Sequence, residues 1–194
     1  LQKSVSYCLF GSKKHLMNEL FEKKSLPFYK FGDTVYLPKI GTEDWVDYIC
    51  GRFEATGKHI SAELSGKICR AVDNHSSYVQ QLAWLVWIHT DETATEQDFE
   101  GAYQDIIDQN TPLFEKQTES LTAYQMNFLR AVLEGVHREF TTRAVLQKYK
   151  LGSSANVSIV KRALLKKELI EMEKRQVVIP DPVMEEWLRR ELGL

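Results

Sequence analysis

The apolar residues of this chain recur at three- and four-residue steps over most of its length. Only near the start, and again close to the end, does the pattern loosen towards the alternation of an extended strand. Residues 4–10, SVSYCLF, mix β-branched and aromatic side chains and then meet Gly11-Ser12, which predicts a short strand ending in a turn. KKHLMNELFEKK follows with Leu16, Met17, Leu20 and Phe21 on one helical face, and Pro27 is expected to stop that helix. Thr34-Val35-Tyr36-Leu37 then predicts a second strand, closed by Pro38. The opening therefore reads strand, helix, strand.

From Thr42 the period becomes helical. Glu43 and Asp44 fall in a first turn, where the helix dipole favours them, and Trp45, Tyr48, Ile49 and Phe53 follow at helical spacing. A second helix is expected from Ala62 to about Asp73, with Leu64, Ile68 and Val72 inward. The third, from Ser76 to about Thr90, is apolar almost all round and contains Trp84 and Trp87, which predicts a central, buried position. The sequence TEQD from Thr95 resembles a cap before a fourth helix bearing Phe99, Tyr103, Ile106 and Ile107.

The last third has its own order. A helix runs from about Thr122 to Glu134 and ends at Gly135; Thr142 caps a short second helix; Ser153-Ser154 open a third. LIEMEK and QVVIP are two short extended pieces joined by Lys174-Arg175, and Pro180-Asp181-Pro182 precede a terminal amphipathic helix. Three helices and a hairpin are the order of a winged helix-turn-helix.

Charge sharpens this division. Residues 120–194 hold thirteen Lys and Arg against nine Asp and Glu, whereas residues 1–119 hold twelve against eighteen. Residues 138–167 contain eight basic residues with Glu139 alone opposing them, so a polyanion-facing surface is expected there, although the whole chain carries a formal charge of −2. Cys8, Cys50 and Cys69 form no CxxC pair, which favours three reduced thiols in a cytoplasmic protein over a disulfide framework or a zinc site. No apolar run reaches the roughly 18–20 residues of a membrane span.

On a winged helix the third helix would present Ser153, Ser154, Asn156, Ser158, Lys161, Arg162 and Lys166 to a major groove. Arg143 and Lys148 before it, and Lys174-Arg175 at the wing tip, would hold phosphates. Glu168, Glu171 and Glu173 beside the wing favour the alternative, a protein surface. No catalytic or metal constellation stands out. His15 and Glu19 are one turn apart without a third ligand; His59, His75, His89 and His137 are scattered; no glycine-rich loop ending in Lys-Ser/Thr occurs.

Together HLMNELF, TVYLPKI, EDWVDYIC, NHSSYVQQLAWLVW, LTAYQMNFLRAVLEG, LGSSANVSIVKRALLKKELI and IPDPVMEEWLRREL resemble the late core, lid and C-terminal winged helix of prokaryotic archaeal-type AAA+ ATPases related to the STAND group. The resemblance implies a mainly α chain. It would comprise a small α/β remnant of the ATPase core at 1–41, a helical lid bundle at 42–119 and a winged helix-turn-helix at 120–194. It places Ser12 where a first sensor residue faces the γ-phosphate. The phosphate loop and magnesium-binding acidic strand would precede Leu1, so ATP and Mg²⁺ are expected for a longer parent and no cofactor for this chain. The lid turn reads Asn74-His75-Ser76-Ser77, without the arginine of a second sensor. A lid and winged helix coupling the nucleotide state of an absent core to DNA or protein is the leading expectation. A self-contained DNA-binding regulator and a protein-interaction adaptor are the alternatives.

Overall fold

The structure, a computed structural model, describes residues 7–11, 17, 20–30 and 32–194. It divides into two units, Leu1–Pro38 and Lys39–Leu194. In the first, residues 20–22 are helical and turns follow, with Lys30 N–H bonded to the Phe21 carbonyl and the Phe21 and Phe28 rings 6.2 Å apart. Among the described residues neither expected strand forms. Residues 7–10 carry no strand, residues 4–6 lie outside the described residues, and residues 34–37 run without a ladder, Val35 being 78% and Leu37 83% exposed. A β-rich composition suits a pleated, half-buried surface, and makes a strand only beside a partner edge.

The second unit is helical. Helix α1, Thr42–Glu54, buries Trp45, Ile49 and Phe53 at four-residue steps. Helix α2, Ala62–Ala71, starts at Ser61, whose hydroxyl accepts from Leu64 N–H at 3.1 Å, and buries Leu64, Ile68 and Cys69. Asp73 and Asn74 then take left-handed backbone angles and turn the chain into α3, Ser76–His89. That helix is not central as its composition predicted. Val79, Leu82, Leu85 and Val86 are buried, but Trp84 is 54% exposed and Ile88 also lies open. Its covered side packs on α4, Glu96–Thr118.

The cap read at TEQD is present as a reciprocal capping box between Thr95 and Asp98. Spanning 23 residues, α4 is about 34 Å long. Phe99, Ala102, Ile106 and Ile107 are buried towards its start and Phe114 towards its end.

Helix α5, Ala123–Leu133, opens with a second capping box, Thr122 with Gln125. Helix α6, Arg143–Lys148, has Thr142 at its cap position, though without the expected side-chain bond. Helix α7 is Ser154–Lys166. Strands β1, Glu171–Glu173, and β2, Gln176–Val178, pair antiparallel with Glu171 opposite Val178 and Glu173 opposite Gln176. The two residues between them, Lys174 and Arg175, both have positive φ, as a tight hairpin turn requires. Helix α8, Pro182–Leu192, starts on Asp181, whose carboxylate accepts from Val183 and Met184 N–H groups at 3.0 and 2.9 Å.

One seam joins the two ends of this unit. Helix α8 lies against α4, with the Phe114 and Trp187 rings 5.7 Å apart. The Tyr78 hydroxyl of α3 donates to Asp181 Oδ2 at 2.8 Å, and Arg190 of α8 bonds Gln104 of α4. Burial and the neighbouring carboxylate raise the pKa of Tyr78; burial, then Glu186, pushes Tyr103 up to about 12.

Candidate nucleic-acid interface

Helix α7 owes its setting to the turn before it. Leu151 is buried beneath the turn, and Gly152 adopts φ +78°, where a side chain would strain the backbone. A Cβ there would also stand 3.3 Å from Asn156 Nδ2 and 3.4 Å from the Tyr124 ring. Ser153 caps the helix by accepting from Asn156 N–H at 3.2 Å, and Asn156 Nδ2 donates to the Leu151 carbonyl at 2.7 Å. Two of the expected base readers thus hold the turn together. Asn156 is half-buried, whereas Ser153 stays exposed.

Val157, Val160 and Leu164 anchor the inner face of α7. Outward lie Ser154, Ser158, Arg162 and Lys166, each four residues from the last, so one exposed line carries four of the expected contacts. Ser158 Oγ donates back to the Ser154 carbonyl at 3.3 Å. Lys161 is half-buried to one side of that line. Helix α7 contains no acidic residue. Among the described residues no carboxylate pairs with Arg143, Lys161, Arg162, Lys166 or Arg175. Lys148 differs: Glu134 and the Tyr149 hydroxyl hold it at 2.7 and 2.8 Å, raising its pKa and lowering that of Glu134. Its expected phosphate role is already taken by a neighbour.

Sequence reasoning missed what sets the wing. Val177 N–H donates to the His137 carbonyl at 2.9 Å, the His137 ring meets the Val177 carbonyl at 2.9 Å, and Arg138 donates to the Lys174 carbonyl at 3.2 Å. A clasp on β2 needs a residue forty positions away, so no local pattern could signal it. Also unforeseen is Ile159, 57% exposed on the outer side of α7. Beside the wing, Glu171, Glu173 and Met172 are exposed as well.

Residues 112–190 match the model of a family described as "Probable winged helix domain". The C-terminal part is a winged-helix domain. Its first matched residue, Pro112, lies inside α4, so that helix serves both the bundle and the winged-helix domain. No curated protein matches the chain. Among solved structures, the Walker-type ATPase of Pyrococcus abyssi aligns with 90% of this chain at a TM-score of 0.64 and 16% identity. The alignment covers 50% of that protein, so this chain spans about half its length. At that identity the likeness concerns fold: the bundle and winged-helix domain together are arranged as in an ATPase.

At the turn Asn74-His75-Ser76-Ser77, Asn74 is engaged with Thr42, and the His75 ring lies 4.8 Å from that of Tyr78 while its buried Nδ1 meets no partner among the described residues. Lys39, the cation beside the turn, is committed to the Asp73 carboxylate at 2.6 Å and to its carbonyl. Ser12, with His15 and Glu19, lies outside the described residues. No group of three or more His, Cys, Asp or Glu among the described residues could hold a metal ion, and no helix among them is long and apolar enough to cross a membrane.

Proposed function

We propose that this chain is the lid and winged-helix portion of an ATPase, and that it carries the nucleotide state of a preceding core to duplex DNA. It is not a catalyst by itself. The seam is the observation that carries this reading. Helix α4 runs through both parts, and the Phe114–Trp187 and Tyr78–Asp181 contacts tie the bundle to the winged-helix domain. A displacement of the bundle then displaces α7 with it. The likeness in fold to a Walker-type ATPase supports the same assignment. DNA is preferred over protein because α7 offers unpaired cations and hydroxyls without an opposing carboxylate, and Ile159 suits a thymine methyl.

Titration of the 194-residue chain with a fluorescent duplex at two salt concentrations tests the contact. Binding should weaken with salt by about 0.9 in log–log slope for each phosphate neutralised. Arg162→Ala with Lys166→Ala should flatten that slope. Exposed Met172, Glu171 and Glu173 favour a second reading, a protein partner. Absence of salt-dependent duplex binding would select it. Coupling is tested in a longer protein bearing the ATPase core, where DNA affinity should differ between nucleotide states and lose that difference in Phe114→Ala.

A further inference from the structure

A groove of about 360 Å³ lies between α1 and α3, is lined by no residue of the winged-helix domain and is unused by the function proposed above. Trp45, Ile49, Phe53 and Val79 are buried along it, while Trp84 and Trp87 supply aromatic surface, with Lys58 Nζ 4.2 Å from the Trp87 ring centroid. From Trp45 to Phe53 the α1 wall is about 12 Å long. Its volume is within the roughly 300–1,000 Å³ of small-molecule sites, which share this mixture of apolar walls and a few polar groups.

Two polar groups are without partners. Trp87 donates its indole N–H to Thr56 Oγ1 at 2.9 Å, whereas the Trp45 Nε1–H is buried with no acceptor among the described residues. An unmet buried donor is uncommon and disfavours the state that leaves it so. Arg52 is the sole charged residue lining the groove, it is exposed, and no carboxylate among the described residues neutralises it. It stands seven residues beyond Trp45 on the same helix, about 10 Å along the axis.

We propose that this groove binds a small aromatic acid. Its ring would lie against the tryptophans, an acceptor would take the Trp45 indole N–H, and its anionic group would pair with Arg52. A cationic ligand could stack on the tryptophans but would be repelled by Arg52, a small polar one would leave the aromatic walls unmatched, and a purely apolar one would leave Arg52 unanswered.

Dansylglycine, an aromatic carboxylate with sulfonyl acceptors, and dansylamide, which lacks the carboxylate, are the probes. Energy transfer from tryptophan to the dansyl group reads binding to the intact chain. Dansylglycine should saturate one site per chain and bind at least fivefold more tightly than dansylamide. Arg52→Gln should bring the two probes within twofold of each other. Trp45→Phe should weaken both threefold or more, and Ala83→Trp, which fills the groove, should abolish transfer from both. Circular dichroism checks that each variant keeps its helices. No saturable binding, or a carboxylate preference that survives Arg52→Gln, would overturn the proposal. So would light scattering that finds a dimer which Ala83→Trp returns to monomer, since a second copy would then cover the groove.

Discussion

The seam beside α8 joins the bundle to the winged-helix domain, the outer face of α7 belongs to that domain alone, and the two are built by opposite means. At the seam Phe114 is wholly buried, its ring meets Trp187, and Tyr78 and Asp181 satisfy each other. On α7, serines, Arg162 and Lys166 stand exposed, with the cations unpaired. The difference teaches where constraint lies. Close packing resists any relative movement of the parts it joins, because interiors deform only at the expense of their contacts. An exposed, unpaired cation stabilises the fold little and is left available to a partner.

The largest test removes packing from the seam. Phe114→Ala should destabilise the chain by about 3–5 kcal/mol in urea unfolding, as buried aromatic truncations do. If the seam makes one cooperative body, the bundle and winged-helix domain will still unfold in a single transition in the parent chain; two separate transitions would break the comparison. Next, Tyr78→Phe deletes one hydrogen bond to a carboxylate and should cost about 1–2 kcal/mol by the same measurement. Asp181 keeps its two N–H partners, so α8 should remain capped.

Alkali gives a milder test of the same seam. Tyr78 and Tyr103 hold their protons more tightly folded than unfolded, both chiefly through burial. Above pH 10 the unfolded chain therefore releases protons that the folded one keeps, and stability falls as pH rises. Tyr78→Phe should flatten that fall in pH-dependent thermal melts. The smallest effect belongs to α7: Arg162→Ala with Lys166→Ala should shift stability by less than about 0.5 kcal/mol per site in urea. A larger loss would mean that these side chains serve the fold.

Much of the architecture was legible, for reasons that differ from element to element. Thr95 with Asp98 and Thr122 with Gln125 are local signals, since a cap is settled within four residues. The strands of the opening were not. Residues 34–37 have a better strand composition than QVV of the wing, yet only the wing strand finds a partner and buries Val177. Pairing is a tertiary fact. Likewise the all-round apolar surface of α3 announced burial, but could not say that part of it would line an open groove. On α7 the line of Ser154, Ser158, Arg162 and Lys166 followed from helical period alone. The capping duty of Asn156 depended on where the Leu151 carbonyl turned, and the His137 clasp on a distant strand.

Gly152 separates two kinds of change available to this domain. The positive φ strains any side chain there, and a Cβ would press on Asn156, so glycine favours the angle at which α7 leaves its turn. Ser154, Ser158 and Arg162 are exposed, so substitutions there leave the buried face of α7 untouched. A lineage could therefore rewrite what the helix recognises, residue by residue, while its mount stays the same.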